Sequence, residues 1–323
     1  MEENKQILSV RNLVVKYITR DETVEAVNDV SFDVNYGETL GLVGETGAGK
    51  TTIAKAIMRI LQTPPARIVS GEILLDGETD LVQLGNEEMR RYRGRRISMV
   101  FQDPMTALNP VIKVGHQIAN GIHLHRGCTK KEALAQARDI LEMVGIPGSR
   151  MNEYPHQFSG GMKQRVVIAM ALSCDPDLLI ADEPTSALDV TIQAQVLETI
   201  AALQKQKSTA MILITHDLAV VAENCQNVAI VYAGEIVEYG SIAQVYSRPM
   251  HPYTEGLFAS IPDTSTKVER LRPIFGAPPD PTALPAGCKF RERCPYAQEA
   301  CREAVPTVTL PDGHRFKCIR REA

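Results

Sequence analysis

The run Gly44-Glu45-Thr46-Gly47-Ala48-Gly49-Lys50-Thr51 limits what this chain can become more than any other stretch. The short apolar segment Thr39 to Val43 leads directly into it. Beyond Lys50 a helical pattern places Ile53, Ile57, Ile60 and Leu61 on one face. Strand, glycine loop and helix in that order form a phosphate cradle. Glycines let the backbone turn tightly and aim successive N–H groups inward, and the helix adds its positive end. Lys50 can reach the outer phosphates as a point charge, Thr51 offers a hydroxyl to Mg²⁺, and Thr52 supports the phosphates nearby.

The surrounding pattern is α/β. Residues 7–17 alternate imperfectly, with Leu8 and Val10 followed by Leu13, Val15 and Tyr17, as in a half-buried strand. Val27 to Val34 is a second strand, and Ile73-Leu74-Leu75 before Asp76-Gly77 reads as a hairpin turn. Strands are expected at Ile97 to Phe101, Leu178 to Ala181, Met211 to Thr215 and Val228 to Tyr232. Between about 105 and 172 the character is helical, with a strong amphipathic run from Lys130 to Val144. The expectation is an α/β core interrupted by a helical insertion. After about residue 245 prolines crowd the chain, from Pro249 and Pro252 to Pro281 and Pro285, and disfavour long helices and central strands. A boundary near 245 separates a first domain, 1–245, from an appended piece, 246–323.

Three apolar strands end in polar groups suited to phosphate chemistry. Leu178-Leu179-Ile180-Ala181 runs into Asp182 and Glu183. Ligands of parallel sheets gather at the carboxyl ends of strands. Asp182 is assigned to the metal and Glu183 to polarising the water that attacks the terminal phosphate. His216 closes Met211 to Thr215 and can contact the γ-phosphate or serve as a structural residue. Gln102 closes Ile97 to Phe101, as a neutral ligand for metal or attacking water or as a polar strand end. Ser159-Gly160-Gly161 opens a further helix. Serine is a good N-cap, and small residues expose the first-turn N–H groups, which makes a second anion site or an ordinary helix start.

In this order the loop Gly44–Thr51, Gln102, Phe158-Ser159-Gly160-Gly161-Met162-Lys163-Gln164, Leu178–Glu183, Ser186-Ala187-Leu188-Asp189 and His216 resemble the motifs of ATP-binding-cassette ATPases, over about residues 7 to 245. Phe158 and Met162 depart from the commonest signature, which has leucine and glutamine there. The resemblance implies a P-loop NTPase core with an antiparallel β subdomain and a helical subdomain at about 105–172. It implies two cassettes paired head to tail, each cradle facing the other's signature, so that Ser159, Gly160, Gly161 and Gln164 bind the nucleotide held by Gly44 to Thr52. Asp189 and its neighbours lie along that interface, Tyr17 stacks on adenine, and the insertion docks on a membrane-embedded partner to which Gln102 links the nucleotide. The cofactors so implied are ATP and Mg²⁺.

The tail is similar to the peptide-importer branch of that family in Arg248-Pro249-Met250-His251-Pro252-Tyr253-Thr254 and Gly276-Ala277-Pro278-Pro279-Asp280-Pro281. Cys288, Cys294, Cys301 and Cys318 crowd the same region, with five, six and sixteen residues between them. In a reducing compartment such a cluster is better suited to metal than to disulfides. Four thiolates can hold zinc or an iron–sulfur cluster, and close zinc-type cysteine pairs are absent. The resemblance points to a four-iron cluster in a small Cys-rich domain. Lys289, Arg291, Arg293, Arg302, Arg315 and Lys317 can offset its charge or form a solvated surface.

A net charge of -4 does not suggest general nucleic-acid binding, and no apolar run approaches the roughly 18–20 residues of a membrane-spanning helix. The beginning of the chain lacks a basic-then-apolar secretory signal. The chain is therefore expected in the cytosol, and the resemblance implies a place at the cytoplasmic face of the inner membrane as the ATPase subunit of a bacterial or archaeal peptide importer. Its expected partners are a second cassette subunit, two integral membrane permease subunits and an extracellular substrate-binding protein. Nickel and glutathione are the alternative cargoes. The rival reading is a cassette ATPase acting on nucleic acid or the ribosome.

Overall fold

A computed structural model of the chain describes residues 5–185, 190–260 and 273–320. Its strands are β1 (Gln6–Ile18), β2 (Thr23–Asn35), β3 (Thr39–Val43), β4 (Ala66–Leu75), β5 (Thr79–Asp80), β6 (Ile97–Val100), β7 (Leu178–Asp182), β8 (Ala210–Thr215), β9 (Asn227–Tyr232), β10 (Glu235–Ser241), β11 (Val308–Thr309) and β12 (Arg315–Phe316). Its helices are α1 (Lys50–Ile57), α2 (Asn86–Tyr92), α3 (Pro104–Ala107), α4 (Val114–Arg126), α5 (Lys130–Met143), α6 (Gly160–Leu172), α7 (Val190–Lys207), α8 (Leu218–Asn224), α9 (Ile242–Ser247) and α10 (Pro252–Ala259). The chain divides into two compact units, each drawn from three stretches. One comprises Met1–Leu8, Asp33–Thr39 and Leu74–Ile214; the other comprises Ser9–Phe32, Leu40–Ile73 and Thr215–Ala323.

In the unit containing Leu74–Ile214, β6, β7 and β8 pair in parallel, Val100 opposite Ala181 and Ala181 opposite Leu213. Every residue of these three strands is buried. This is why they read as continuous apolar runs: a parallel strand covered on both faces has no solvent side to alternate with. The helical stretch carries α4, α5 and α6. Thr129 and Glu132 form a reciprocal capping box at the start of α5, and Ala133, Ala137 and Leu141 form its buried stripe. The stretch is less continuous than the sequence suggests, because turns and 3-10 segments at Gly148–Asn152 and Pro155–Gln157 break it.

In the other unit, β3 and β9 pair in parallel, β10 runs antiparallel to β9, and β12 joins β10 with Glu238 opposite Phe316. The proline-rich appended piece thus adds a strand to β10. It also forms α10, whose Pro252 occupies the first turn, where its missing N–H costs nothing, while the His251 ring accepts the Tyr253 N–H. Glu238, fully buried, ties these pieces together. Its carboxylate accepts the N–H groups of Met250 and His251 at 2.8 and 2.9 Å and meets His314 Nε2 at 2.8 Å.

In β1, Ile7 to Val10 are all buried, and only after Asn12, at a left-handed φ of 48°, does alternation set in with Leu13 and Val15 buried. Two local expectations shift. Helix α1 ends at Ile57, so Ile60 and Leu61 do not continue its buried face. Strand β6 stops at Val100, and Phe101 is 40% exposed, so Gln102 stands two residues beyond the strand's end rather than directly after it.

Candidate nucleotide site

The glycine loop connects β3 to α1 within the second unit. A Cβ on Gly44 would stand 2.1 Å from the Val231 carbonyl oxygen, and one on Gly49, at φ 104°, would stand 2.4 Å from that of Ala26. Only glycine allows the backbone to lie this close to its neighbours. The loop is pinned by the Ala48 N–H on the Glu45 carbonyl at 3.1 Å and the Gly234 N–H on the Ala48 carbonyl at 2.9 Å. Thr46 and Gly47 at the tip are exposed. Lys50 is buried, and its ammonium donates to the carbonyls of Gly44 at 2.6 Å and Glu45 at 3.0 Å. Thr51 and Thr52 occupy the first turn of α1, and the Tyr17 hydroxyl lies 3.3 Å from Thr52 Oγ1. An ammonium folded over a glycine loop at a helix N-terminus is the donor set a polyphosphate requires.

Within the first unit, parallel pairing of β6 with β7 brings together two residues the sequence places 81 positions apart: Gln102 Nε2 donates to Glu183 Oε2 at 3.2 Å. Asp182 is buried at the end of β7. Glu183 leaves the strand with a left-handed φ of 45°, held by its N–H on the Ile214 carbonyl at 2.8 Å. A non-glycine residue held there stores strain, and such positions cluster at functional sites. His216 follows the end of β8 and is exposed.

Ser159 caps α6, its Oγ accepting the Met162 N–H at 3.4 Å, and Ser159 and Gly160 are exposed. Gln164 differs from them: it is 2% exposed, and its Nε2 has no partner among the described residues. The two departures from the commonest signature share a neighbour that the sequence reading missed. The Arg150 guanidinium lies 4.7 Å from the Phe158 ring centroid, and its Nη1 lies 3.3 Å from Met162 Sδ, with Glu153 as its ion pair. Asp189 lies outside the described residues.

Cys288, Cys294, Cys301 and Cys318 line one cavity of about 20 Å³ with His251, Phe290 and Arg320. Burial and the neighbouring thiols push the Cys288 thiol up to about 11. Among the described residues no group of three or more His, Cys, Asp or Glu stands ready to hold a single metal ion. The basic residues expected to offset a cluster are mostly engaged elsewhere. Lys289 donates to the Pro285 carbonyl, Arg302 pairs with Glu299, Arg315 covers the Tyr239 ring and Lys317 pairs with Glu235. Arg291 lines the cavity while donating to the Ala286 carbonyl. Arg293 turns to the glycine loop, forking onto Glu45 at 2.8 and 2.9 Å.

Loop, parallel strands and capped helix define an α/β P-loop ATPase of the cassette type. Residues 27–186 match the family described as ABC transporter, and residues 237–301 match the oligopeptide/dipeptide transporter C-terminal region. The dipeptide transport ATP-binding protein DppD of Bacillus subtilis is 48% identical over 317 residues, 97% of this chain and 94% of its own. The oligopeptide transport ATP-binding protein OppD of the same organism is also 48% identical, over 97% of this chain and 88% of its own. A solved dimeric ATP-binding cassette in a post-hydrolysis state, bound to ADP and Pi, superposes with a TM-score of 0.66 at 25% identity, over 73% of this chain and 99% of that one. CbiO1 from Clostridium perfringens, part of an ABC transporter complex, superposes at 0.64 with 27% identity, over 76% and 92%. The chain belongs to the ABC transporter ATPases, in the oligopeptide/dipeptide importer family.

Proposed function

We propose that this chain hydrolyses ATP to drive peptide import through separate membrane subunits, with each nucleotide bound between its own glycine loop and the Ser159 turn of a second cassette. The observation that carries the reading is the loop itself, with Lys50 already seated over its carbonyls. Lys50 and the loop N–H groups hold the phosphates, and Tyr17 stacks on the base. Mg²⁺, when bound, would neutralise charge that develops on the phosphates. Thr51, Gln102 and Asp182 would supply its ligands, directly or through water. Glu183 takes the proton of the attacking water, its carboxylate oriented by the Gln102 amide. His216 senses the γ-phosphate. The N–H groups of Ser159, Gly160 and Gly161, together with Gln164, complete the site of the partner cassette, with Asp189 along the interface.

A bridging γ-phosphate gives ATP a differential affinity for the closed pair that ADP lacks, and such a difference is what moves a conformational equilibrium. The chain then works at the cytoplasmic face of the membrane beside two permease subunits and an external binding protein. The four cysteines carry an iron–sulfur cluster in this reading. Their common cavity, with no carboxylate among its lining residues, suits a thiolate-bound group.

The deciding experiment is Glu183→Gln. It should still bind ATP while turnover falls by roughly 10²-fold or more, the scale of lost general-base help. Hydrolysis at the wild-type rate would remove Glu183 from the chemistry.

A further inference from the structure

The appended C-terminal piece grips the glycine loop at one residue, Glu45. Its carboxylate receives both arms of the Arg293 fork, Nη1 to Oε2 at 2.8 Å and Nη2 to Oε1 at 2.9 Å. Its main-chain N–H donates to the Tyr253 hydroxyl at 2.9 Å. Its carbonyl accepts from Lys50. Arg293 is itself confined. Its side chain is 6% exposed, its guanidinium lies 5.7 and 5.9 Å from the ring centroids of Tyr232 and Phe290, and its remaining donors reach the Tyr232 hydroxyl and the carbonyls of Phe275 and Ile274. Tyr253 is fully buried, its ring 4.6 Å from that of Tyr232 and 5.4 Å from that of Phe290.

This arrangement answers an electrostatic difficulty in the loop. A carboxylate two residues from the end of β3 sits beside the place where several phosphate charges must settle, and like charges at such range oppose binding. A buried bidentate guanidinium cancels that charge and fixes the direction of the loop, which a single ammonium does less well. We propose that Arg293 is a positioning residue for nucleotide binding. Acting through Glu45, it holds and neutralises the phosphate loop, so that the C-terminal extension forms a working part of the ATP site. The inference rests on the loop's role as the nucleotide cradle and is independent of whether the cysteines carry a cluster.

The test is equilibrium titration of the purified full-length chain with a fluorescent ATP analogue and Mg²⁺. Arg293→Gln, which leaves Glu45 charged and loose, should raise Kd roughly fivefold or more, the usual range of site-to-site coupling. Adding Glu45→Gln to that variant should recover most of the loss, because the repelling charge is gone. A purely structural arginine would show no such recovery. Arg302→Gln, which removes an exposed positive charge elsewhere in the extension, should bind like wild type.

Arg293→Gln binding within about twofold of wild type, or a double variant no better than the single one, would overturn the proposal. If thermal melting shows that Arg293→Gln does not fold, Arg293→Lys gives the same reading. It keeps the charge but not the fork, so its Kd should rise by a smaller factor that Glu45→Gln removes; an unchanged Kd overturns the proposal. Failure of the wild-type chain itself to bind the analogue would count against the cradle, not against Arg293.

Discussion

At the scale of single residues, the same atom types take opposite roles according to their surroundings. Cys225 is 8% exposed, and burial pushes its thiol up to about 12. The thiolate is the reactive form, so Cys225 should be nearly inert to iodoacetamide at pH 8, whereas the half-buried Cys128 should label first. Mass spectrometry of timed samples reads the order, and equal rates would contradict the burial argument. Spacing alone set Cys225 apart from the C-terminal four, but nothing in its neighbourhood in sequence announced how deeply it is covered. Lys50 shows the complementary case. Its place over the loop was legible from the glycine run, because a local backbone shape and one flexible cation are neighbours in sequence. Arg293 carried no such sign, since its meaning depends on a carboxylate 248 residues away.

At the scale of elements, turns and strand periods were read well where they are local. The hairpin at Asp76-Gly77 has both residues left-handed, at φ 54° and 71°, with β5 returning so that Thr79 faces Leu75. The network around that turn was not legible. The Tyr36 hydroxyl donates to Asp76 at 2.6 Å, and Arg96 pairs with both Asp76 and Asp177. Burial, then the bond to Asp76, raises the Tyr36 hydroxyl from its ordinary value of 10 to about 12. The folded form therefore holds a proton that the unfolded chain releases earlier. The contribution is full below pH 10 and is lost as pH rises through about 12. Melting temperature should fall over that window in wild type and less in Tyr36→Phe, which should itself be about 1–2 kcal/mol less stable near neutral pH. Parallel pH profiles for the two proteins would show that the bond does not couple to folding.

Across the whole molecule, each compact unit is assembled from three separated stretches, and the tail completes the sheet edge at β10 and the cavity of four cysteines. Anaerobically purified full-length protein should contain about four iron and four acid-labile sulfide per chain, and Cys301→Ser should lose both. Zinc without sulfide would replace the cluster with a zinc centre. The amino-acid order alone determined what local physics can encode: the glycine cradle, the buried strands, the cap of α6, and the ordered motifs of a cassette ATPase. Only the tertiary structure decided that Gln102 meets Glu183, that Arg150 braces the altered signature, and that Tyr253 and Arg293 hold Glu45. Those contacts join residues with no common period or turn between them. Parallel strand pairing brings Gln102 to Glu183, the turns before α6 bring Arg150 to Phe158 and Met162, and the folded-back tail brings Tyr253 and Arg293 to Glu45.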